Sequence, residues 1–336
     1  MSTWNMNVGY GRALIDGIAA QLPAFGRILF VFNSSDSASQ NYQAIQEIAK
    51  EDPFGRVRFF TSLSDAYTEA ESNNNDTICL DAHSTHSLSS MLTWSKSRIN
   101  VVGFDGGGRL VQQGAKIQIS GAVDTAAVLK VTGTRNSFRN IKFIQSSTHA
   151  NALYVVQFAG EGNYYENCSF LFGVADNLDL TTSSEALMGE DSGTFVNCSF
   201  GTDVLVTSAA RNVMAFDAIS GASSADGAKS NRFIDCEWII NSSEAGAVLV
   251  KIVDTAGAKF LNVMVRPRFH ATLCSGSGGV AITNAVQSVG SFVDGVLHLY
   301  MPASFDCTNL CNTLTANVKT YGPVTSAQAG EAGTPS

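Results

Sequence analysis

A chain of 336 residues with 45% hydrophobic content can bury a sizeable core, and its 20 Phe exclude a disordered chain, which combines low hydrophobicity with high net charge. Only 15% of residues are charged and the formal charge is -8, which argues against nucleic acid as a partner, because phosphate backbones are gripped by Lys and Arg. No run of about 18 apolar residues is present, so no membrane span is expected, and the start MSTWNMNVGYGR lacks the basic and apolar regions of a secretory signal, so synthesis in the cytoplasm is expected.

Residues 1–95 carry the chain's helical periodicity and read as a small α/β cap and docking segment. Ala13, Ile15, Ile18, Ala19 and Leu22 suit a short amphipathic helix closed by Pro23. A strand follows over Ile28 to Phe32. Ser37 or Ser39 then caps a helix carrying Tyr42, Ile45, Ile48 and Ala49, ended by Asp52-Pro53. Arg56 to Phe60 reads as a strand, Ser62 caps a helix through Ala70, Asn73 to Asp76 form a turn, and Thr77 to Leu80 form a strand.

From residue 96 to 322, short β-branched or aromatic runs alternate with Gly, Asn and Ser. A phrase of the form aromatic-x-Asn/Asp-small/apolar-x-apolar recurs as FRNIKF at Phe138, YENCSF at Tyr165, FVNCSF at Phe195, FIDCEW at Phe233 and FLNVMV at Phe260, with a weaker FVDGVL at Phe292. The intervals of 27, 30, 38, 27 and 32 residues fit solenoid turns with loops of variable length. Side chains alternate along a strand, so the aromatic and both apolar residues point inward only if the chain bends at the Asn or Asp. Those residues enter the left-handed region most readily, which makes Asn140, Asn167, Asn197, Asp235 and Asn262 the expected corner ladder. Ile141, Cys168, Cys198, Cys236 and Val263 are then the expected inward stack. Each phrase follows another strand-like run, such as Leu153 to Phe158 or Ala247 to Val253, so one coil holds at least three short strands. The tail GPVTSAQAGEAGTPS reads as an extended arm over residues 323–336.

This pattern resembles the right-handed parallel β-helix of pectate lyases and of many tailed-bacteriophage virion proteins. The resemblance covers roughly residues 77 to 300 and implies a mainly β fold with a small N-terminal α/β cap. The scaffold hosts lyases, hydrolases and inert structural proteins alike. Pectate lyases use clustered acids that hold calcium and an arginine in an RxPxxR-like motif beside a WxDH-like one. Here Val265-Arg266-Pro267-Arg268 is the nearest approach, with no WxDH upstream, and the NTD, DD, GHG and RIK motifs of polygalacturonases are absent. Acid pairs for glycoside cleavage could come from Asp176, Asp179, Glu185, Glu190 and Asp191, a stretch otherwise rich in turn formers, whose acids read more simply as solvated loop residues and helix caps.

His83 and His86 lie in a Ser/Thr-rich loop without a third ligand nearby, and Phe104 to Arg109 is a glycine run without the Lys of a phosphate loop. Seven cysteines without CxxC spacing suggest neither disulfides nor zinc. No catalytic, cofactor or metal site is therefore expected. The resemblance implies a homotrimeric virion protein assembled in the host cell, most simply one that decorates the head by binding the major capsid protein or other virion proteins. The alternative it leaves is a tailspike that binds or cleaves a polysaccharide.

Overall fold

The computed structural model describes residues 26–36, 40–51, 54–82, 84–104, 114–176, 178–217, 219, 228–253, 261–271, 280–289, 296–312, 318–322 and 325–326. The helix expected over Ala13 to Leu22, Phe260, Phe292, His83, Cys274 and the glycine run from Asp105 lie outside the described residues.

Strands of two to nine residues stack into three sheets of eleven, nine and eight strands among the described residues. Neighbouring strands pair in parallel and come from successive coils, so the chain is a parallel β-helix. One coil, for example, runs through Ser137–Arg139 in the eleven-stranded sheet, Lys142–Ser147 in the nine-stranded sheet and Tyr154–Phe158 in the eight-stranded sheet. The next coil places Tyr164–Glu166, Ser169–Phe172 and Ser184–Met188 directly against them.

The strands of the eleven-stranded sheet are short because the backbone bends at both ends. Asn140, Asn167, Asn197 and Asp235 follow their strands with φ of 57°, 51°, 51° and 53°. Arg135, Gly162, Ser192 and Ser230 precede the same strands with φ of 57°, 65°, 56° and 59°. A three-residue strand between two left-handed bends offers one inward side chain, and that place is taken by Phe138, Tyr165, Phe195 and Phe233. Their rings stack within 9° of parallel at 5.4, 4.5 and 4.7 Å. A second column, Phe143, Phe170, Phe200 and Trp238, stacks in the nine-stranded sheet at 5.1, 5.0 and 5.6 Å. Between the columns lie Ile141, Cys168, Cys198 and Cys236, all buried, and each thiol donates to a carbonyl of the coil before, at 3.4 to 3.6 Å.

The fifth copy of the phrase departs from expectation. Strand Leu261–Val265 pairs Val263 with Arg232 and Met264 with Phe233, so Met264 and not Phe260 takes the aromatic position. Asn262 is not a corner but lies inside, level with Asn231, and Val263 faces outward and is half-buried. The corner falls at Arg266, with φ of 51°, and Pro267 follows in the cysteine column. Arg266 gains there what Asn262 cannot supply: its guanidinium makes two 2.6 Å hydrogen bonds to the carboxylate of Asp235, the corner one coil earlier.

At the N-terminal end, strands Ile28–Val31 and Thr77–Leu80 continue the eleven-stranded sheet. Helix α1, Gln40–Ala49, packs Tyr42, Ile45 and Ala49 on Phe30, Phe32 and Cys79, the outer face of those strands. Helix α2, Leu63–Glu69, is capped by Ser62 and feeds Leu63, Ala66 and Tyr67 into the main core, covering the first coil. The expected boundary at residue 95 is therefore not a boundary, because Thr85–Ser87 and Leu92–Trp94 already belong to the nine- and eight-stranded sheets. Nor does the solenoid stop at 322, since Thr325–Ser326 pairs with Ala303–Ser304.

The corner geometry predicts that Asn197→Gly is nearly neutral, while Asn197→Val, forced into a left-handed backbone, costs about 1–2 kcal/mol in chemical denaturation.

Candidate functional site

The five acids considered for catalysis do not converge. Asp176 and Asp179 are exposed, and Asp179 accepts the Ser208 N–H at 2.7 Å. Asp191 lies at an outer corner, 3.4 Å from Lys229. Glu185 lies in strand Ser184–Met188 and Glu190 follows it two residues on, and both are fully buried.

Glu185 occupies an apolar column. The register of the eight-stranded sheet places it between Val155 and Val213, with Leu249 in the next coil. Its carboxylate is held by Arg211 through hydrogen bonds of 3.0 and 2.5 Å, and the guanidinium of Arg211 lies 5.4 Å above the Phe172 ring. Burial pushes the Glu185 carboxyl upward in pKa while Arg211 pulls it back. Paired on both oxygens and shut from solvent, Glu185 serves as a structural ion pair.

Glu190 belongs to a polar column that the sequence reading missed. Asn136, Asn163, Asn231 and Asn262 sit inside the second bend, each buried, two residues ahead of the inward side chain of the eleven-stranded sheet. Asn136 Oδ1 accepts the Ile99 N–H at 2.9 Å, Asn163 Oδ1 accepts the Asn136 N–H at 2.8 Å, and Asn262 Oδ1 accepts the Asn231 N–H at 3.0 Å. In the coil between Asn163 and Asn231 the equivalent residue is Gly193. Glu190 fills the gap: its Oε1 accepts Asn163 N–H at 3.1 Å and Nδ2–H at 2.7 Å, and its Oε2 accepts Tyr165 O–H at 3.2 Å. Burial raises its pKa to about 7, against those three donors. The signal was present in the sequence as Asn-x-aromatic-x-Asn in NSFRN and NYYEN, with GTFVN as the variant.

The histidines are dispersed. His86 is buried against the carbonyl of Asp81, and His149 lies 3.4 Å from Asp124. His270 stacks on Phe305 at 4.9 Å and His298 meets Tyr321 Oη at 3.1 Å, and burial lowers the pKa of both. Among the described residues no three His, Cys, Asp or Glu are placed to hold a metal ion, and no helix is long and apolar enough to cross a membrane.

Two surface features remain. Ser90, Met91, Asp124, Thr125, Ala126, Asn151 and Leu153, from the tips of three successive coils, line an open depression of about 600 Å³. There Asn151 Nδ2 donates to Asp124 at 2.8 Å. The outer face of the eleven-stranded sheet is covered by α1 at one end, and among the described residues nothing covers it further along. Val196, Ile234, Val263 and Val265 line it half-buried, and it ends in the stacked pair Tyr300 and Tyr321, 4.6 Å apart, beside Met301, which is 51% exposed. Beside it Arg139 pairs with Glu166 at 3.3 Å and Arg266 with Asp235, while Arg232 and Lys319 stand on the same face.

A scan of family models and a search of curated proteins find no match to this sequence. Solved structures do match in fold. Pectin methylesterase from Aspergillus niger superimposes with a TM-score of 0.54 at 12% identity, over 91% of this chain and 87% of that one. Pectate lyase Pel9A gives 0.52 at 15% identity, over 91% and 78%. A pectin methylesterase in complex with a hexasaccharide gives 0.50 at 11%, over 92% of each chain. Together with the three parallel sheets, these likenesses make the chain a right-handed parallel β-helix of pectate-lyase-like architecture.

Two outcomes are expected. Glu185→Gln, which strands a buried guanidinium, loses about 3–5 kcal/mol in chemical denaturation, whereas Glu185→Val combined with Arg211→Met is near neutral or stabilising. Cys168, Cys198 and Cys236 resist thiol reagents until the protein unfolds, as mass spectrometry of alkylated protein will register.

Proposed function

We propose that this protein is a non-enzymatic structural component of a tailed-bacteriophage virion, a homotrimer that decorates the head by binding the major capsid protein. The observation that carries this reading is how the scaffold uses its acids and its surface. Glu185 and Glu190 are committed to holding coils together, while the sheet face left uncovered among the described residues carries the apolar run Val196, Ile234, Val263 and Val265, flanked by the ion pairs of Arg139 and Arg266. A face of that kind suits permanent contact with protein, since apolar cores with paired rim charges are what stable interfaces bury. Synthesis in the host cytoplasm followed by assembly into the particle fits this role.

A second reading, a tail-associated β-helix that binds or cleaves a polysaccharide, draws on the depression around Asp124 and Asn151, whose lining mixes polar groups with Met91, Ala126 and Leu153 as a sugar site does.

The test is binding of purified protein to particles that lack it. Val196→Lys combined with Ile234→Lys is expected to abolish incorporation, because the sheet face is the surface proposed to dock, and deletion of residues 1–24 or of residues 323–336 is expected to weaken it if an end docks as well. Normal incorporation of both truncations contradicts docking through the ends, and release of reducing ends from a panel of bacterial surface glycans by the intact protein would favour the second reading.

A further inference from the structure

We propose that Glu190 is a proton-operated latch inside the solenoid: its carboxyl completes the asparagine column at the gap left by Gly193, and the coils on either side are held more tightly when it carries a proton than when it is ionised. The column is otherwise made of neutral amides, Asn136, Asn163, Asn231 and Asn262, each handing its Oδ1 to a backbone N–H one coil earlier. Gly193 cannot hand one on. A Cβ there would stand 2.9 Å from Asn231 Oδ1 and 3.0 Å from Glu190 Cδ, so the carboxyl occupies the space an asparagine side chain would need. Glu190 also ties the next coil, because its own carbonyl accepts from Asn231 Nδ2 at 2.7 Å.

Among the described residues no cation compensates the carboxylate. The titratable groups that act on it are the Tyr165 hydroxyl, which donates to it, and Asp191, next in the chain, which repels it. Asp191 faces Lys229 and Glu161 in neighbouring coils at the outer corner. Tyr165 in turn lies against Cys168 and Cys198, and burial pushes the Cys198 thiol well upward in pKa. A protonated Glu190 keeps both Asn163 bonds on Oε1 and donates from Oε2 to the Tyr165 oxygen, reversing that bond and releasing the Tyr165 proton from it, and it buries no charge.

The sign follows from linkage. With the folded-state pKa at about 7, above the ordinary 4.5, the folded coil binds the proton more tightly than the opened one. The resulting stabilisation is complete below the lower value and is lost as pH rises through the higher one. Over that window the equilibrium for opening at Glu190 grows by about tenfold per pH unit, and above pH 7 it levels off.

The experiment is amide hydrogen exchange of the intact protein from pH 5.5 to 8.5, corrected for the intrinsic rate and read at Asn163, Gly193 and Asn231, whose N–H groups bond into the column. Wild-type protection at these sites is expected to fall towards pH 7 and then flatten, while Ile99, bonded to Asn136 two coils away, does not change. Glu190→Gln is expected to hold its protection throughout. Glu190→Ala combined with Gly193→Asn, which rebuilds the column from amides alone, is expected to match acid-state wild type at pH 8. Should either substitution prevent folding, the wild-type contrast between Asn163 and Ile99 still decides. A wild-type profile that is flat, or that falls equally at Ile99, overturns the proposal, as does a Glu190→Gln profile with the wild-type slope.

Discussion

Each coil must return to the register of the coil beneath it, and that requirement organises the molecule. Parallel strands spaced about 4.8 Å apart give full backbone pairing only if every coil bends at equivalent places. Two left-handed bends around each three-residue strand of the eleven-stranded sheet meet the condition. They leave one inward position per strand, so identical positions from successive coils become columns: aromatic rings in two of them and thiols in a third. On the outer face the same repetition stacks the rings of Tyr300 and Tyr321, 4.6 Å apart.

The same repetition explains the polar groups inside. Buried amides are tolerated when each donor and acceptor is matched, and a column of asparagines matches itself from one coil to the next. A single glycine breaks the series at residue 193, and the carboxyl of Glu190 restores the bonds while adding a charge that water cannot reach. Glu185 and Arg211 answer a different need, since they enter an apolar column as a pair and must stay a pair. In both places an acid is placed by packing.

Much of this was legible in the sequence. The recurring aromatic and its following Asn or Asp announce a bend with one inward ring, and strand alternation assigns the cysteines to the interior. The second bend was not legible, because Arg135, Ser192 and Ser230 are not residues whose chemistry advertises a left-handed backbone. Asn262 misled for a related reason. An asparagine can serve as a corner or as an amide in the internal column, and only the register against Arg232 and Phe233 distinguishes the two, moving the corner to Arg266. The acids of the stretch from Asp176 to Asp191 looked alike as letters. Burial separates them, and burial depends on which coil face each meets.

On the proposed reading the solenoid is a building element whose sheet face at Val196, Ile234 and Val265 is the surface that meets protein. The most direct test of that reading is an image reconstruction of a particle carrying the protein, at a resolution that resolves copy number and position. The account predicts copies arrayed over the capsid lattice with the face of Val196, Ile234 and Val265 covered by protein. A few copies at a tail vertex, with that face open to solvent and a glycan seated near Asp124, would contradict it.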